Sequence, residues 1–181
     1  CGENISSGGT IENSYADGSV SAENTVGGLC GRDYGTITNS YSAGPVSGDE
    51  KVGGLVGYGD GSIENSYTIA DVYGTSEVGG FIGITGRDYQ YADCFWNTDI
   101  NPDANAFGDG TTDPNVTGLP AAYMMAGSTF TDAGWDFIWE TANGTDDIWA
   151  ICDATDYPRL TWQFTAGDFD ERLVATRAAL V

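Results

Sequence analysis

Apolar positions in the first hundred residues recur at a fixed step, and the step is not helical. The string "TIENSY" at 10–15 alternates, with Ile11, Asn13 and Tyr15 on one side and Thr10, Glu12 and Ser14 on the other, which is the pattern of a half-buried strand. It returns as "TITNSY" at 36–41 and "SIENSY" at 62–67. A second string runs "VGGLCG" at 26–31, "VGGLVG" at 52–57 and "VGGFIG" at 78–83. Val20, Val46 and Val72 keep the same 26-residue step. Three copies in phase mark a structural repeat whose unit cannot bury its apolar side alone, so neighbouring copies must stack.

The predicted fold is all-β: a parallel β-helix or β-solenoid of 26-residue repeats, with equivalent residues about 4.8 Å apart on adjacent tiers. Ile11/Ile37/Ile63, Tyr15/Tyr41/Tyr67, Val26/Val52/Val78 and Leu29/Leu55/Phe81 then form columns, and Asn13/Asn39/Asn65 an amide ladder. The glycines would supply positive φ at corners and room where a Cβ would clash. A 26-residue unit also fits a β-hairpin stacked into a longer antiparallel sheet, and periodicity leaves both arrangements open.

A fourth copy, "YADCFWN" at 91–97, comes 28 residues after its predecessor, and no glycine motif follows it. The texture then changes. A short helix is expected near 121–126, and "WDFIW" and "DIWAICDATDYPRLTWQF" read as aromatic-rich strands. The expected organisation is solenoid repeats over 1–97 and a small α+β aromatic-rich C-terminal cap over 98–166. The cap would close the solenoid with Trp96, Trp135, Trp139, Trp149 and Trp162. A tail over 167–181 has a capping-box pattern at Asp168 and Glu171 and reads as a short helix.

Charge narrows the function classes. The chain has 27 acidic residues, six basic ones and a net charge of −21. Such a surface repels phosphate backbones and anionic lipid, so neither nucleic acid nor membrane insertion is expected. There is no histidine, which closes Ser-His-Asp triads and HExxH zinc sites. Glu12 and Glu64, two tiers apart with Thr38 between, read as a surface pattern, and no enzyme activity is expected.

The glycine string followed by "GSIENSY" and a "G-x-V" step resembles the GLUG-motif repeat. Those repeats occur in large secreted and surface-attached bacterial proteins, including adhesin-like chains, and flank the catalytic part of some immunoglobulin-A-cleaving metallopeptidases. The resemblance covers roughly the first hundred residues and brings no catalytic residues with it. It implies an extracellular or cell-surface module with a structural or adhesive role. The passages at 94–97, 117–125 and 149–160 resemble the closing passage of such chains. "CGEN" at 1–4 aligns with "CGRD" at 30–33, so the first residue falls inside a motif. Self-association end to end, or stacking on neighbouring repeats of a longer chain, is the expected partnership. The alternative is a carbohydrate-binding or polysaccharide-degrading β-helix with surface glycans as partners.

Two further sites are candidates. "DINPDAN" places Asp99, Asn101, Asp103 and Asn105 at alternating positions with Asp109 close behind, oxygen donors in a spacing that resembles the start of a calcium loop. The match ends at Ala104, where that loop needs glycine, and asparagine and aspartate also serve as turn formers. Four cysteines in an acidic, apparently secreted chain suggest Cys1–Cys30 and Cys94–Cys152 disulfides, with buried free thiols as the alternative.

Overall fold

The computed structural model describes residues 1–5, 8–138, 140–152 and 154–165. It falls into two compact units, Cys1–Leu119 and Pro120–Val181. The predicted tail over 167–181 and Trp139 lie outside the described residues.

The first unit is a parallel β-solenoid of about 4 tiers. An opening tier holds β1 (Glu3–Asn4), β2 (Thr10–Glu12), β3 (Tyr15–Ala16) and β4 (Val20–Ser21). The next holds β5 (Asn24–Gly27), β6 (Cys30–Asp33), β7 (Thr36–Thr38), β8 (Tyr41–Ser42) and β9 (Val46–Ser47). The pattern repeats as β10 (Glu50–Gly53), β11 (Val56–Gly59), β12 (Ser62–Glu64), β13 (Tyr67–Thr68) and β14 (Val72–Tyr73). Then come a long β15 (Ser76–Thr85), β16 (Gln90–Ala92), β17 (Cys94–Asn97), β18 (Asn105–Phe107) and β19 (Val116–Leu119).

Parallel register settles the hairpin question. Ile11 pairs with Ile37, Ile37 with Ile63, and Ile63 with Tyr91. The Tyr15, Tyr41, Tyr67, Phe95 column follows the same order. Its tyrosine rings stack at 5.4 and 5.0 Å between centroids, with interplanar angles of 17° and 9°. Each such pair adds about 0.5–1.5 kcal/mol beyond the area it buries. Two apolar clusters of described residues lie in the interior. One contains Leu29, Ile37, Leu55, Val56, Ile63, Phe81, Ile82 and Trp96; the other contains Val26, Val46, Val52 and Ala70.

The motif glycines are there for space. A Cβ on Gly27, Gly53 or Gly79 would stand 2.1, 2.0 and 1.9 Å from the carbonyl oxygens of Cys30, Val56 and Ile82. It would also come within 2.6, 2.6 and 2.7 Å of the nitrogens of Gly57, Gly83 and Gly108. Positive φ, expected at glycine, belongs instead to Asn13, Asn39, Asn65 and Asp93 at one corner and to Thr25, Lys51 and Glu77 at another. Asparagine and aspartate tolerate that region better than other side chains. Among the described residues, no side-chain hydrogen bond joins Asn39 to Asn65 as an amide ladder would require. The ladder runs one residue later. The N–H of Ser14 donates to Ser40 Oγ and that of Ser40 to Ser66 Oγ, at 3.1 and 3.2 Å. Each hydroxyl donates in turn to the carbonyl two residues before it.

The solenoid does not stop at residue 97, the end of the recognisable repeats. β18 adds to β15, and β19 pairs with β17 over four residues. Aromatic side chains replace aliphatic ones there. Tyr91 and Phe107 stack at 5.5 Å, and Trp96 fills the space above Gly80 and Gly118. Trp96, expected in a cap, is therefore core of the solenoid itself.

The second unit has α1 (Ala121–Met124), where a helix was expected, then α2 (Gly127–Thr131), an antiparallel pair β20 (Trp149–Ala150) and β21 (Arg159–Leu160), and a 3-10 turn over Thr161–Gln163. Trp135 and Trp149 are fully buried with centroids 4.8 Å apart, beside Phe130 and Phe137.

Candidate binding groove

The sheet formed by β4, β9 and β14 ends a tier early. Thr68 pairs with Trp96 and Gly79 with Asn105. Eleven residue steps separate the first members of those pairs and nine the second, so the last tier lacks the chain to make another strand here. Asn101 takes its place. Buried to 8 % exposure, its Nδ2 donates to the Ala70 carbonyl at 2.8 Å and its Oδ1 accepts from the Val72 N–H at 3.0 Å. A side-chain amide offers the same donor and acceptor as a peptide group, so it stands in for one residue of the missing strand.

Beyond Asn101 the edge is open. The carbonyls of Asp71 and Tyr73 face back to β9, accepting from Val46 and Gly48. By the alternation of a parallel ladder, the Val72 carbonyl and the Gly74 N–H face forward, where no strand follows among the described residues. A groove of about 430 Å³ lies there, lined by Asp71, Val72, Tyr73, Val78 and 100–104. Tyr73 is 58 % exposed, and its hydroxyl donates to Asp71. That bond and the carboxylate's charge raise the phenol's pKa above its ordinary value.

The structure disperses the calcium candidates. Asn101 spends both side-chain polar atoms on the β14 edge. Asp99, Asp103 and Asn105 are exposed. Asp109 accepts from the Thr85 N–H and hydroxyl and from the Thr111 N–H, at 2.7–2.9 Å. Partial burial opposes its charge, yet these bonds outweigh that and lower its pKa. Among the described residues, no three acidic or sulfur side chains are grouped to hold a metal.

Neither expected disulfide is present. Cys30 points into the interior, its thiol donating to the Arg32 carbonyl, while Cys1 sits exposed on the rim. Cys94 is buried in the solenoid, donating to the Ile63 and Ala92 carbonyls, and Cys152 belongs to the second unit. Burial is the main reason the Cys30 thiol is pushed up to about 11 and the Cys94 thiol to about 12. Both stay protonated and unreactive near neutrality.

One interior acid stands out. Asp33 is fully buried; its Oδ1 accepts from Asn4 and from the Gly35 N–H, and its Oδ2 has no hydrogen-bond partner. Burial raises its pKa above the ordinary carboxylate value. The Glu12 and Glu64 pair stays exposed, each in register with Thr38 one tier away.

Sequence reasoning missed Asp71, Val72 and Tyr73 as site residues. The available signal was the shortened spacing after the fourth copy, which removes a strand and uncovers their edge. No family model, curated protein or solved structure matches this chain, so the family resemblance rests on the repeat strings alone.

Proposed function

We propose that this chain is a structural and adhesive repeat module of an extracellular, cell-surface protein or filament of the GLUG-repeat kind. The observation that carries the reading is the in-phase stack. Each tier places the same residue types over those of the tier before, so backbone pairing, aromatic stacking and the serine ladder repeat along one axis. Nothing in that repetition requires a ligand, and a net charge of −21 suits a solvated outer coat.

The first strands of the stacked columns support self-association. Among the described residues, β1, β2, β3, β4 and β5 each have a strand partner on one side only, and an unpaired edge is a template for another strand. A second copy or a neighbouring repeat is the partner that fits. Antibody raised against the chain should label intact source cells from outside, and labelling only after permeabilisation would remove the surface reading. Sedimentation should show association that grows with concentration and is abolished by Val20→Lys on β4.

A second reading, carbohydrate binding, is favoured by one feature: the open groove beside Tyr73.

A further inference from the structure

We propose that the groove at the end of the β4, β9, β14 sheet binds a neutral sugar unit of a glycan. The inference rests on the adhesive reading, for which it supplies a ligand class and a site.

The groove's size lies within the range of small-molecule sites, and its lining has their usual mixture of apolar walls with a few polar groups. Val78, Ile100, Pro102 and Ala104 form the apolar wall. Tyr73 presents an exposed ring, held in place through its hydroxyl by Asp71. A sugar ring has an apolar C–H face and a hydroxyl rim, which matches an amphipathic aromatic flanked by acceptors. Asp71 and Asp103 would accept from the hydroxyls. The Val72 carbonyl, left over from the interrupted ladder, is a further acceptor. Hydroxyls, which donate hydrogen bonds without carrying charge, are ligand groups that satisfy such acceptors.

Other occupants fit less well. Two carboxylates in a chain of net charge −21 repel uronates, sulfated sugars and phosphate. An extended peptide adding to the edge needs the Val72 N–H and the Ala70 carbonyl, and Asn101 already holds both.

The test is titration of the ¹⁵N-labelled chain with neutral hexasaccharides of glucose, mannose, galactose and N-acetylglucosamine. Polygalacturonate and an extended valine–threonine peptide serve as the contrasting arms. At least one neutral hexasaccharide should shift the amide signals of Val72, Tyr73, Gly74 and Ile100. Tyr73→Ala should weaken that binding about tenfold, the worth of one good aromatic contact. Asp103→Asn, at an exposed position, should weaken it less. Far-ultraviolet dichroism and melting confirm that both variants are folded. Silence of those signals with every neutral sugar, undiminished binding by Tyr73→Ala, or a response to polygalacturonate or the peptide alone would overturn the proposal. External labelling of cells combined with a silent groove would discard the sugar site and leave the adhesive module standing; absence of external labelling with a responsive groove would do the reverse.

Discussion

Two columns of the solenoid carry the same repeat and end differently. The column of β2, β7, β12 and β16 continues into the last tier, although the final copy is two residues longer: Ser62 pairs with Gln90, 28 positions on, where Thr36 pairs with Ser62 at 26. The column of β4, β9 and β14 stops, because the last tier is two residues shorter there. The difference teaches that extra residues are absorbed by a loop at small entropic cost, whereas missing ones cannot be stretched across the gap. The strand disappears and a side chain patches the edge it leaves.

Substitutions can break or sharpen this contrast. The largest effect is expected where tiers touch backbone to backbone. Gly53→Ala places a methyl group 2.0 Å from the Val56 carbonyl and 2.6 Å from the Gly83 nitrogen, so it should cost about 3 kcal/mol or more. Gly18→Ala, which meets nothing within 4 Å, should leave the melting temperature almost unchanged. Equal melting of the two variants would refute the steric account.

Next in size is the patch. Asn101→Ala leaves the Ala70 carbonyl and the Val72 N–H without their partner, at about 1–3 kcal/mol. Hydrogen exchange should speed up at Val72 and stay slow at Ile63 in the continuing column. Uniform acceleration at both would mean that Asn101 supports the whole unit and not this edge.

Smaller still is the interior acid. Because Asp33's folded pKa is raised, the native state binds its proton more tightly than the unfolded chain does. Its contribution is therefore fully present below 3.8, the unfolded value, and is lost as pH rises through the folded value. Asp33→Asn should gain about 1 kcal/mol relative to wild type at pH 7, and the gain should vanish at pH 3. A gain independent of pH would exclude ionisation as the cause.

The thiols give the gentlest test. Alkylation at pH 8 should label Cys1 in the native chain and spare Cys30 and Cys94 until it unfolds. Both raised thiols also predict that stability present below pH 9 declines as pH rises toward 11 and 12, the folded values. Rapid native labelling of Cys94 would contradict its burial.

Much of the solenoid was legible because its determinants are periodic. Ile11, Tyr15, Val20 and Val26 each recur in phase, and a parallel stack is what superposes them. The role of glycine was only half legible. Composition cannot distinguish a residue chosen for left-handed φ from one chosen because a carbonyl stands 2 Å from its absent Cβ, and here asparagine, threonine, lysine and glutamate took the left-handed corners. The groove was illegible for a related reason: Asn101 looked like a metal ligand among alternating oxygen donors, and only the register shows its amide already engaged. The disulfide expectation failed at Cys30 because equivalent position on adjacent tiers does not make a thiol available when it faces the interior.

The serine ladder gives the stack a direction. The Ser40 and Ser66 hydroxyls each accept from the backbone N–H of the serine one tier before and donate to a carbonyl of their own corner, so load along the axis meets a row of identical, similarly oriented links. Such links yield one at a time, each freeing 26 residues and about 90 Å of extended chain. Under tension the unit should lengthen in even sawtooth steps, a shock absorber ruled by its own repeat.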